Sequence, residues 1–223
     1  MTKKIVAIGD IHGMLFKLES LLDALPISWE TDLVIFLGDY VDRGPDPKGV
    51  VERLVELRRE FGQNIRFLLG NHEYMFLNYL ERRGIIGEIP YKSDLPLDDT
   101  FLATGGESTL GSYFRAHDGL FVPEDHLEFF LGLVPMIEEE EYVFVHAGLR
   151  PKRPIHEQSI EDLLWIRHEF IDSDYDWGKR IVFGHTPLSS PLVQPQKIGI
   201  DTGAVYGGPL TAVILPELRF VQV

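Results

Sequence analysis

Asp, Asn and His residues recur beside glycine at five places in the sequence, each directly after a short apolar run. The five segments are GDIHG at 9–13, GDYVDRG at 38–44, GNHE at 70–73, HAG at 146–148 and GH at 184–185. Glycine permits tight turns and lets the backbone come close to a ligand. A single Gly-Asp at the end of a strand is often an ordinary turn, but five such segments together predict one dedicated site.

The oxygen and nitrogen donors of these segments suit a divalent cation. Asp10 and His12 lie two residues apart, so in an extended chain their side chains would point the same way and could hold one ion. Carboxylate, imidazole and amide ligands without thiolate fit manganese, iron or zinc. Two such ions would neutralise the carboxylates and add about four positive charges, so that an acidic chain could bind phosphate there.

Composition narrows the class of protein and the mechanism. The 223 residues include 21 Lys and Arg against 35 Asp and Glu, a net charge of −14, so the surface as a whole should repel nucleic acid and anionic membranes. Cysteine is absent, which excludes disulfides, thiolate metal sites and a cysteine nucleophile. The apolar run near the N-terminus is too short for a signal peptide and no other run could span a bilayer, so we expect a cytoplasmic protein.

Alternating strand and helix patterns place the five segments at the ends of strands. Short apolar, β-branched runs that predict strands occupy residues 4–10, 32–39 and 65–71. Helical patterns between and after them occupy residues 16–25, 50–62 and 72–84. This βαβα order predicts parallel pairing, and ligands of open α/β sheets bind beyond the carboxyl ends of the strands. Further strands are predicted at YVFVHAG, RIVFGH, KIGID, LTAVILP and LRFVQV.

No linker and no internal repeat interrupts the chain, so we expect one domain over residues 1–223. The segment from about residue 84 to residue 118 is rich in Gly, Pro, Asp and Ser, and TGGESTLGSYF is its best candidate for a helix. LTAVILP and LRFVQV, the last two strands, should form a terminal hairpin.

Taken in order, GDIHG, GDYVDRG, GNHE, HAG and GH resemble the PPP-type phosphoprotein phosphatases of the calcineurin-like metallophosphoesterase superfamily, especially its short bacterial and phage members. GDxHG alone is moderately specific, but in order with GDxVDRG and GNHE it is strong evidence. The resemblance implies an α/β fold with a central β-sandwich flanked by helices. It also implies a serine/threonine phosphoprotein phosphatase that hydrolyses phosphomonoesters with hydroxide activated by two metal ions. Manganese is the expected metal, with iron or zinc as alternatives.

The resemblance further implies a role for each site residue. The residues implied to hold the first ion are Asp10, His12 and the bridging Asp39. Those implied to hold the second ion are Asp39, Asn71, His146 and His185. His72 would protonate the leaving oxygen and Asp42 would orient His72. Arg43 and Asn71 would bind the phosphate of the substrate.

Leucine at position 69 departs from the family pattern. Many PPP phosphatases have arginine immediately before GNHE, so Leu69 removes a bidentate phosphate clamp. The run LLGNHE is familiar from hydrolases that cleave diadenosine tetraphosphate symmetrically, although those enzymes usually lack the HG and VDRG parts that this chain keeps. Arg167, in LLWIRHEF, is expected to bind phosphate instead. The alternative is a surface arginine paired with Glu169 or Glu161.

Three functions stay open at this stage. A phosphoprotein phosphatase is preferred because the first two motifs are complete. Symmetrical diadenosine tetraphosphate hydrolysis is the second, and a non-catalytic phosphoprotein-binding module is the third. The third is disfavoured because no metal ligand and no acid is missing. The expected partner is a phosphoprotein or a small phosphoester, without nucleic acid or a membrane.

Overall fold

The computed structural model describes residues 4–93, 95, 100–117 and 119–223. Its strands are β1 (Ile5–Ile8), β2 (Leu33–Phe36), β3 (Ile65–Phe67), β4 (Phe114–Arg115), β5 (Gly119–Leu120), β6 (Met136–Glu138), β7 (Tyr142–Val145), β8 (Arg180–Phe183), β9 (Leu192–Val193), β10 (Lys197–Gly199), β11 (Thr211–Leu215) and β12 (Arg219–Gln222). The α-helices are α1 (Leu15–Ala24), α2 (Pro47–Phe61), α3 (Asn71–Arg82), α4 (Glu107–Tyr113), α5 (Glu124–Leu131), α6 (Ile160–Trp165) and α7 (His168–Ile171). Shorter helical turns are Gly62–Asn64, Leu102–Gly106, Ile155–Glu157 and Ala204–Tyr206.

In the described part of the chain, ten strands form two five-stranded sheets, and β4 pairs with β5 in a separate hairpin. The first sheet has the order β12-β11-β1-β2-β3 and the second has the order β6-β7-β8-β10-β9. β1, β2 and β3 are parallel, with Ile8 opposite Phe36 and Phe36 opposite Phe67. β7, β8 and β10 are also parallel. The predicted parallel pairing is confirmed, and each motif follows a strand whose carboxyl end meets its neighbours at one edge.

Successive side chains of a strand alternate between the helices on one face and the other sheet on the opposite face, and this alternation forms the layers of the fold. In β1, Val6 packs with the residues of α1, α2 and α3, whereas its neighbour Ala7 packs between the two sheets. In β7, Phe144 joins the same central layer, while Val143 and Val145 pack against the residues of α6 and α7. Because successive side chains of a strand point to opposite faces, buried runs cover both faces of each sheet. The result is the expected β-sandwich between two helical layers.

The structure adds detail that the sequence patterns left out. Helix α2 begins three residues before the predicted start, because the Asp46 side chain accepts a hydrogen bond from Gly49 N–H at 2.9 Å and Pro47 occupies the first turn. Strands β4, β5, β6 and β9 were not predicted, since two or three residues at an edge give no alternating pattern. In the irregular segment, residues 94, 96–99 and 118 lie outside the described residues. Within the described ranges no helix is long and apolar enough to cross a bilayer.

Candidate active site

Asp39 lies where the ends of both sheets meet. Its Oδ2 atom is 3.4 Å from His12 Nε2 and 4.0 Å from His72 Nε2, and its Oδ1 atom is 3.4 Å from His146 Nε2. Two sets of buried donor atoms therefore share this carboxylate, each within a span of 4.8 Å. The sets are His12, Asp39 and His72, and Asp39, His146 and His185.

The backbone of the site is strained. Five of its residues adopt left-handed conformations, with φ angles of 46° to 70°, namely His12, Asp39, Asp42, Arg43 and His185. Only two other non-glycine residues in the described part of the chain do so. Each such conformation costs on the order of 1–3 kcal/mol and persists only where the surroundings hold it. The strained turns direct these side chains toward the region around Asp39.

Glycine allows these turns to pack against each other. A Cβ atom at Gly44 would lie 1.9 Å from the carbonyl oxygen of His12. A Cβ atom at Gly38, whose φ is 100°, would lie 2.7 Å from the backbone of Gly70. The glycines of the motifs are therefore needed for the close approach of the turns that follow β1, β2 and β3.

Glu73, which sequence reasoning left without a role, holds the turn after β2. Its Oε1 atom accepts from the N–H groups of Tyr40 and Val41 at 2.7 and 3.1 Å, and its Oε2 atom accepts from those of Asp39 and Gly70 at 2.8 and 3.1 Å. Burial, with the nearby charge of Asp39, raises the pKa of Glu73 to about 8. The glutamate at the end of GNHE was the sequence signal for this role, because a buried carboxylate in the first turn of a helix needs hydrogen-bond partners.

Hydrogen bonds orient two imidazoles so that they present a lone pair to Asp39. The Nδ1–H group of His12 donates to the Val41 carbonyl and that of His146 to the Leu37 carbonyl, both at 2.8 Å. Each Nε2 atom of the neutral rings then carries a lone pair, and that of His12 accepts a hydrogen bond from Arg43 Nη1 at 2.6 Å. His146 Nε2 is also 3.0 Å from the side-chain oxygen of Asn71. Lone pairs that face one another at these distances require a cation or a proton between them, and carbonyl-oriented imidazoles are the usual metal ligands.

His185 completes the second set of donors. Both of its ring nitrogens are buried and lack a hydrogen-bond partner among the described residues. Burial holds the pKa of His185 well below its usual value, and burial also lowers the pKa of His12 to about 3. Neutral imidazole is the form that binds metal. Burial disfavours ionisation of Asp39, but the protonated forms of His146, His72 and His12 attract its carboxylate and His146 also bonds to it, and together they hold the pKa of Asp39 well below the usual range.

Asp10 does not follow the arrangement expected from spacing. Its two carboxylate oxygens accept from the His185 N–H group at 3.2 and 3.0 Å, and burial, with the charges of Asp201 and Asp39, raises its pKa well above the usual value. β1 ends at Ile8, and His12 adopts a left-handed conformation with a φ of 46°. The expectation that Asp10 and His12 lie on an extended segment is wrong, although both face the region around Asp39.

His72, predicted as the acid, forms a buried pair with Asp42. His72 Nδ1 lies 2.6 Å from Asp42 Oδ2. Burial raises the pKa of Asp42 to about 8 and lowers the pKa of His72 to about 4. Both shifts favour a pair without net charge, which still holds one proton that can move between the two side chains.

Thr109 completes this arrangement, and sequence reasoning missed it. Its hydroxyl donates to Asp42 Oδ1 at 2.5 Å and accepts from Asp42 N–H at 2.9 Å. In the preceding turn the Gly105 carbonyl accepts from Arg43 N–H at 3.0 Å. The TGGEST run is therefore the segment that holds Asp42 and Arg43 in their left-handed conformations. Its polar residues beside two glycines were the feature of the sequence that could have indicated this contact.

The two arginines predicted to bind phosphate, Arg43 and Arg167, differ in their contacts and exposure. Arg43 Nη1 is 2.6 Å from His12 Nε2, and its Nε atom donates to the Thr104 carbonyl at 3.3 Å. Arg167 is exposed at the start of α7, and the described residues offer its guanidinium no hydrogen bond or ion pair, since Glu169 pairs with Arg150 at 2.6 Å.

Burial is the main cause of the lowered pKa values of His72 and His185, and the positive charge of Arg167 is a smaller one. Leu69 is buried, and its N–H group donates to the Val134 carbonyl at 2.8 Å. Position 69 therefore packs in the core and supplies no charge to the site.

Curated proteins that are similar to this chain include two bis(5′-nucleosyl)-tetraphosphatases. Bis(5′-nucleosyl)-tetraphosphatase PrpE (asymmetrical) from Bacillus thuringiensis (strain Al Hakam) is 27% identical over 243 residues, which cover 97% of this chain and 92% of the relative. The protein of the same name from Bacillus anthracis (strain CDC 684 / NRRL 3495) is 27% identical over 244 residues with the same coverage.

Solved structures share the fold. A structure described as a candidate diadenosine tetraphosphatase superposes with a TM-score of 0.74 at 24% identity, covering 100% of this chain and 94% of that one. A cold-active protein tyrosine phosphatase gives a TM-score of 0.66 at 18% identity, covering 100% and 76%. A protein serine/threonine phosphatase from Saccharomyces cerevisiae gives 0.61 at 14%, covering 99% and 79%. The sequence profile of the calcineurin-like phosphoesterases matches residues 3–212, and the chain belongs to that family of metal-dependent hydrolases.

Proposed function

We propose that this chain hydrolyses dinucleoside tetraphosphates asymmetrically, releasing a nucleoside triphosphate and a nucleoside monophosphate. One P–O–P bridge breaks and water supplies the new oxygen. The observation that carries the hydrolytic part is the position of Asp39, whose carboxylate is shared by two sets of buried imidazoles. In each set one imidazole, that of His12 or His146, is oriented by a backbone carbonyl so that its Nε2 atom faces Asp39.

The donor set fits two divalent ions. We assign Asp10, His12 and Asp39 to one ion and Asp39, Asn71, His146 and His185 to the other. The orphaned ring nitrogens of His185 support the second set. Paired ions, when bound, activate water near neutral pH and stabilise the charge of an in-line displacement. Manganese suits the mixture of carboxylate, amide and imidazole ligands.

The side chains of this protein supply the remaining chemistry. Asp42 fixes Nδ1 of His72, which leaves Nε2, 4.0 Å from Asp39 Oδ2, to deliver a proton to the leaving oxygen. Arg43 lies beside His12 and would bind oxygens of the phosphate that reacts. Arg167, exposed and without a described partner, would bind a phosphate further along the chain of four.

The choice of substrate rests on the relatives and on Leu69. The relatives named as asymmetrical tetraphosphatases align over 97% of this chain, and a buried leucine replaces the arginine that many protein phosphatases have. A serine/threonine phosphoprotein phosphatase of the PPP type is the second candidate, because the VDRG segment is complete and its Asp42 and Arg43 contact His72 and His12. Symmetrical cleavage of the same dinucleotide is a third possible reaction.

One substrate panel separates these functions. Metal-stripped protein is reloaded with Mn²⁺ and incubated with diadenosine tetraphosphate and with phosphoserine peptides, and the products are separated by chromatography. AMP with ATP supports the proposal, ADP alone indicates symmetrical cleavage, and phosphate from the peptides alone indicates a protein phosphatase. Absence of hydrolysis in all cases would favour a phosphoprotein-binding module.

Asp39→Asn tests the shared carboxylate directly. We expect this substitution to impair both metal positions, so that the bound metal measured by elemental analysis falls well below two ions per chain. Asp23→Asn, on the exposed face of α1, changes the same charge away from the site and should keep both ions. Normal metal content in Asp39→Asn would refute the assignment of Asp39 to both ions.

A further inference from the structure

The turn that follows β10 is a built structure beside the candidate active site. Asp201 is buried, and a Cβ atom at Gly9 would lie only 2.6 Å from the Ile200 carbonyl oxygen, so the residues that precede Asp201 and Asp10 lie against each other. The turn therefore starts beside a proposed metal ligand. Asp201 Oδ1 accepts from Gly203 N–H at 2.9 Å. The Gly203 carbonyl then accepts from the N–H groups of Tyr206 and Gly208 at 2.9 and 3.0 Å. These bonds close the turn on itself.

A lysine from another element holds the same turn. Lys17, in α1, donates to the Ala204 carbonyl at 3.0 Å and also to the Gly208 carbonyl. Gly203 and Gly207 adopt left-handed conformations, with φ angles of 70° and 93°, which allow the tight path of the chain. The five hydrogen bonds named above therefore hold the backbone of the turn that carries the Tyr206 side chain.

The side chain of Tyr206 is an aromatic ring that remains largely exposed to solvent. Tyr206 is 64% exposed, although most aromatic residues of the described chain are buried or partly buried. The Arg43 guanidinium lies over the ring, 5.6 Å from its centroid. The same guanidinium is 2.6 Å from His12 Nε2. One arginine side chain therefore separates an exposed ring from the proposed metal site.

We propose that Tyr206 is the platform on which the nucleobase next to the reacting phosphate stacks. This inference rests on the proposed hydrolysis of dinucleoside tetraphosphates. A rigid exposed ring gives a base a planar surface at a small entropic cost, and stacking on an aromatic side chain tolerates any base. Arg43 would bind the phosphate while Tyr206 binds the base attached to it through the ribose.

The position of the ring also favours asymmetrical cleavage. In asymmetrical cleavage the broken bridge adjoins the phosphate that carries a nucleoside, whereas in symmetrical cleavage it lies at the middle of the chain. A base platform next to Arg43 holds the nucleoside close to the reacting phosphate. The subsite therefore selects which bridge is placed at the metal centre.

The test compares Tyr206→Ala with Tyr206→Phe, which keeps the ring. For diadenosine tetraphosphate we expect Tyr206→Ala to raise KM about 5- to 100-fold, while Tyr206→Phe stays within about twofold of the parent chain. Turnover of O-phosphoserine, which has no base, should change much less. Tyr175→Ala removes another exposed tyrosine, whose described ring contact is with Trp177, and serves as the matched control.

A binding measurement separates this inference from the proposed activity. Calorimetry with the Mn²⁺-loaded protein should show tighter binding of AMP than of inorganic phosphate, and Tyr206→Ala should lose that preference. Equal binding of AMP and phosphate by the parent chain would overturn the platform even if the dinucleotide is hydrolysed. Equal effects of Tyr206→Ala on dinucleotide and phosphoserine would also overturn it, because the ring would then act through Arg43 alone. Lack of dinucleotide hydrolysis with a normal AMP preference would refute the proposed substrate and leave the base subsite standing.

Discussion

Thr109→Val tests whether the hydroxyl of Thr109 holds the proton-donating pair. Valine has nearly the same shape as threonine, so the substitution removes the hydroxyl without opening a large cavity. Two hydrogen bonds to Asp42 are lost, one to the Oδ1 atom at 2.5 Å and one from the N–H group at 2.9 Å. Both groups of Asp42 stay buried, since Asp42 and Thr109 are 0% exposed.

The expected loss of stability can be worked out from these two bonds. With a pKa of about 8, Asp42 is largely neutral near pH 7. Each lost bond therefore leaves a neutral buried group of Asp42 without a partner, which costs about 1–2 kcal/mol. The free energy of unfolding should therefore fall by about 2–4 kcal/mol. For a chain of this size, that corresponds to a decrease in Tm of about 4–16 °C.

Kinetics should show a second effect. Without Thr109, Asp42 is held only by its remaining contacts, so it orients His72 less well. Proton delivery to the leaving group then becomes slower. We expect kcat to fall about tenfold or more with a poor leaving group such as serine, and much less with nitrophenyl phosphate, whose leaving group needs no proton.

Thr109→Ser is the matched control because it keeps the hydroxyl and removes only a methyl group. It should recover most of the lost Tm and the normal ratio of turnover between the two leaving groups. The reasoning is refuted if Thr109→Val leaves Tm unchanged, or if Thr109→Ser is as damaged as Thr109→Val. The second result would show that packing of the methyl group matters and the hydroxyl does not.

Three further outcomes are expected. His72→Asn should reduce turnover of serine phosphates far more than that of nitrophenyl phosphate, and equal losses would remove His72 from the role of acid. Lys197 is buried and its ammonium donates to the carbonyls of Phe170, Ile171 and Ser173 at the end of α7, so Lys197→Met should lower stability in urea unfolding by about 2–4 kcal/mol; an unchanged midpoint would contradict this. Burial lowers the pKa of His126, whose ring bonds to Tyr113. Stability should therefore fall as pH drops below the unfolded value of about 6.5, and His126→Leu should flatten the plot of Tm against pH between 7 and 5; an unaltered slope would rule out His126 as a contributor.

Much of the architecture could be predicted from local patterns. The apolar runs before Asp10, Asp39 and Asn71 indicated parallel strands with polar ends, and the structure has β1, β2 and β3 there. Such runs are informative because a strand covered on both faces must be apolar throughout. Short edge strands such as β9 gave no signal, since two residues cannot show a period.

The sequence by itself determined which donor types were available and in what order the motifs follow one another along the chain. Only the tertiary structure decided how those donors are divided between the two sets around Asp39. Asp10 bonds to the backbone of His185, which lies 175 residues away, and Thr109 reaches Asp42 across 67 residues. Spacing describes side chains only while the chain is extended, and the left-handed turns at His12, Asp39 and Asp42 break that rule. Those turns are stable only because Glu73, Thr109 and the glycines of other segments hold them, and such long-range support leaves no local period to read.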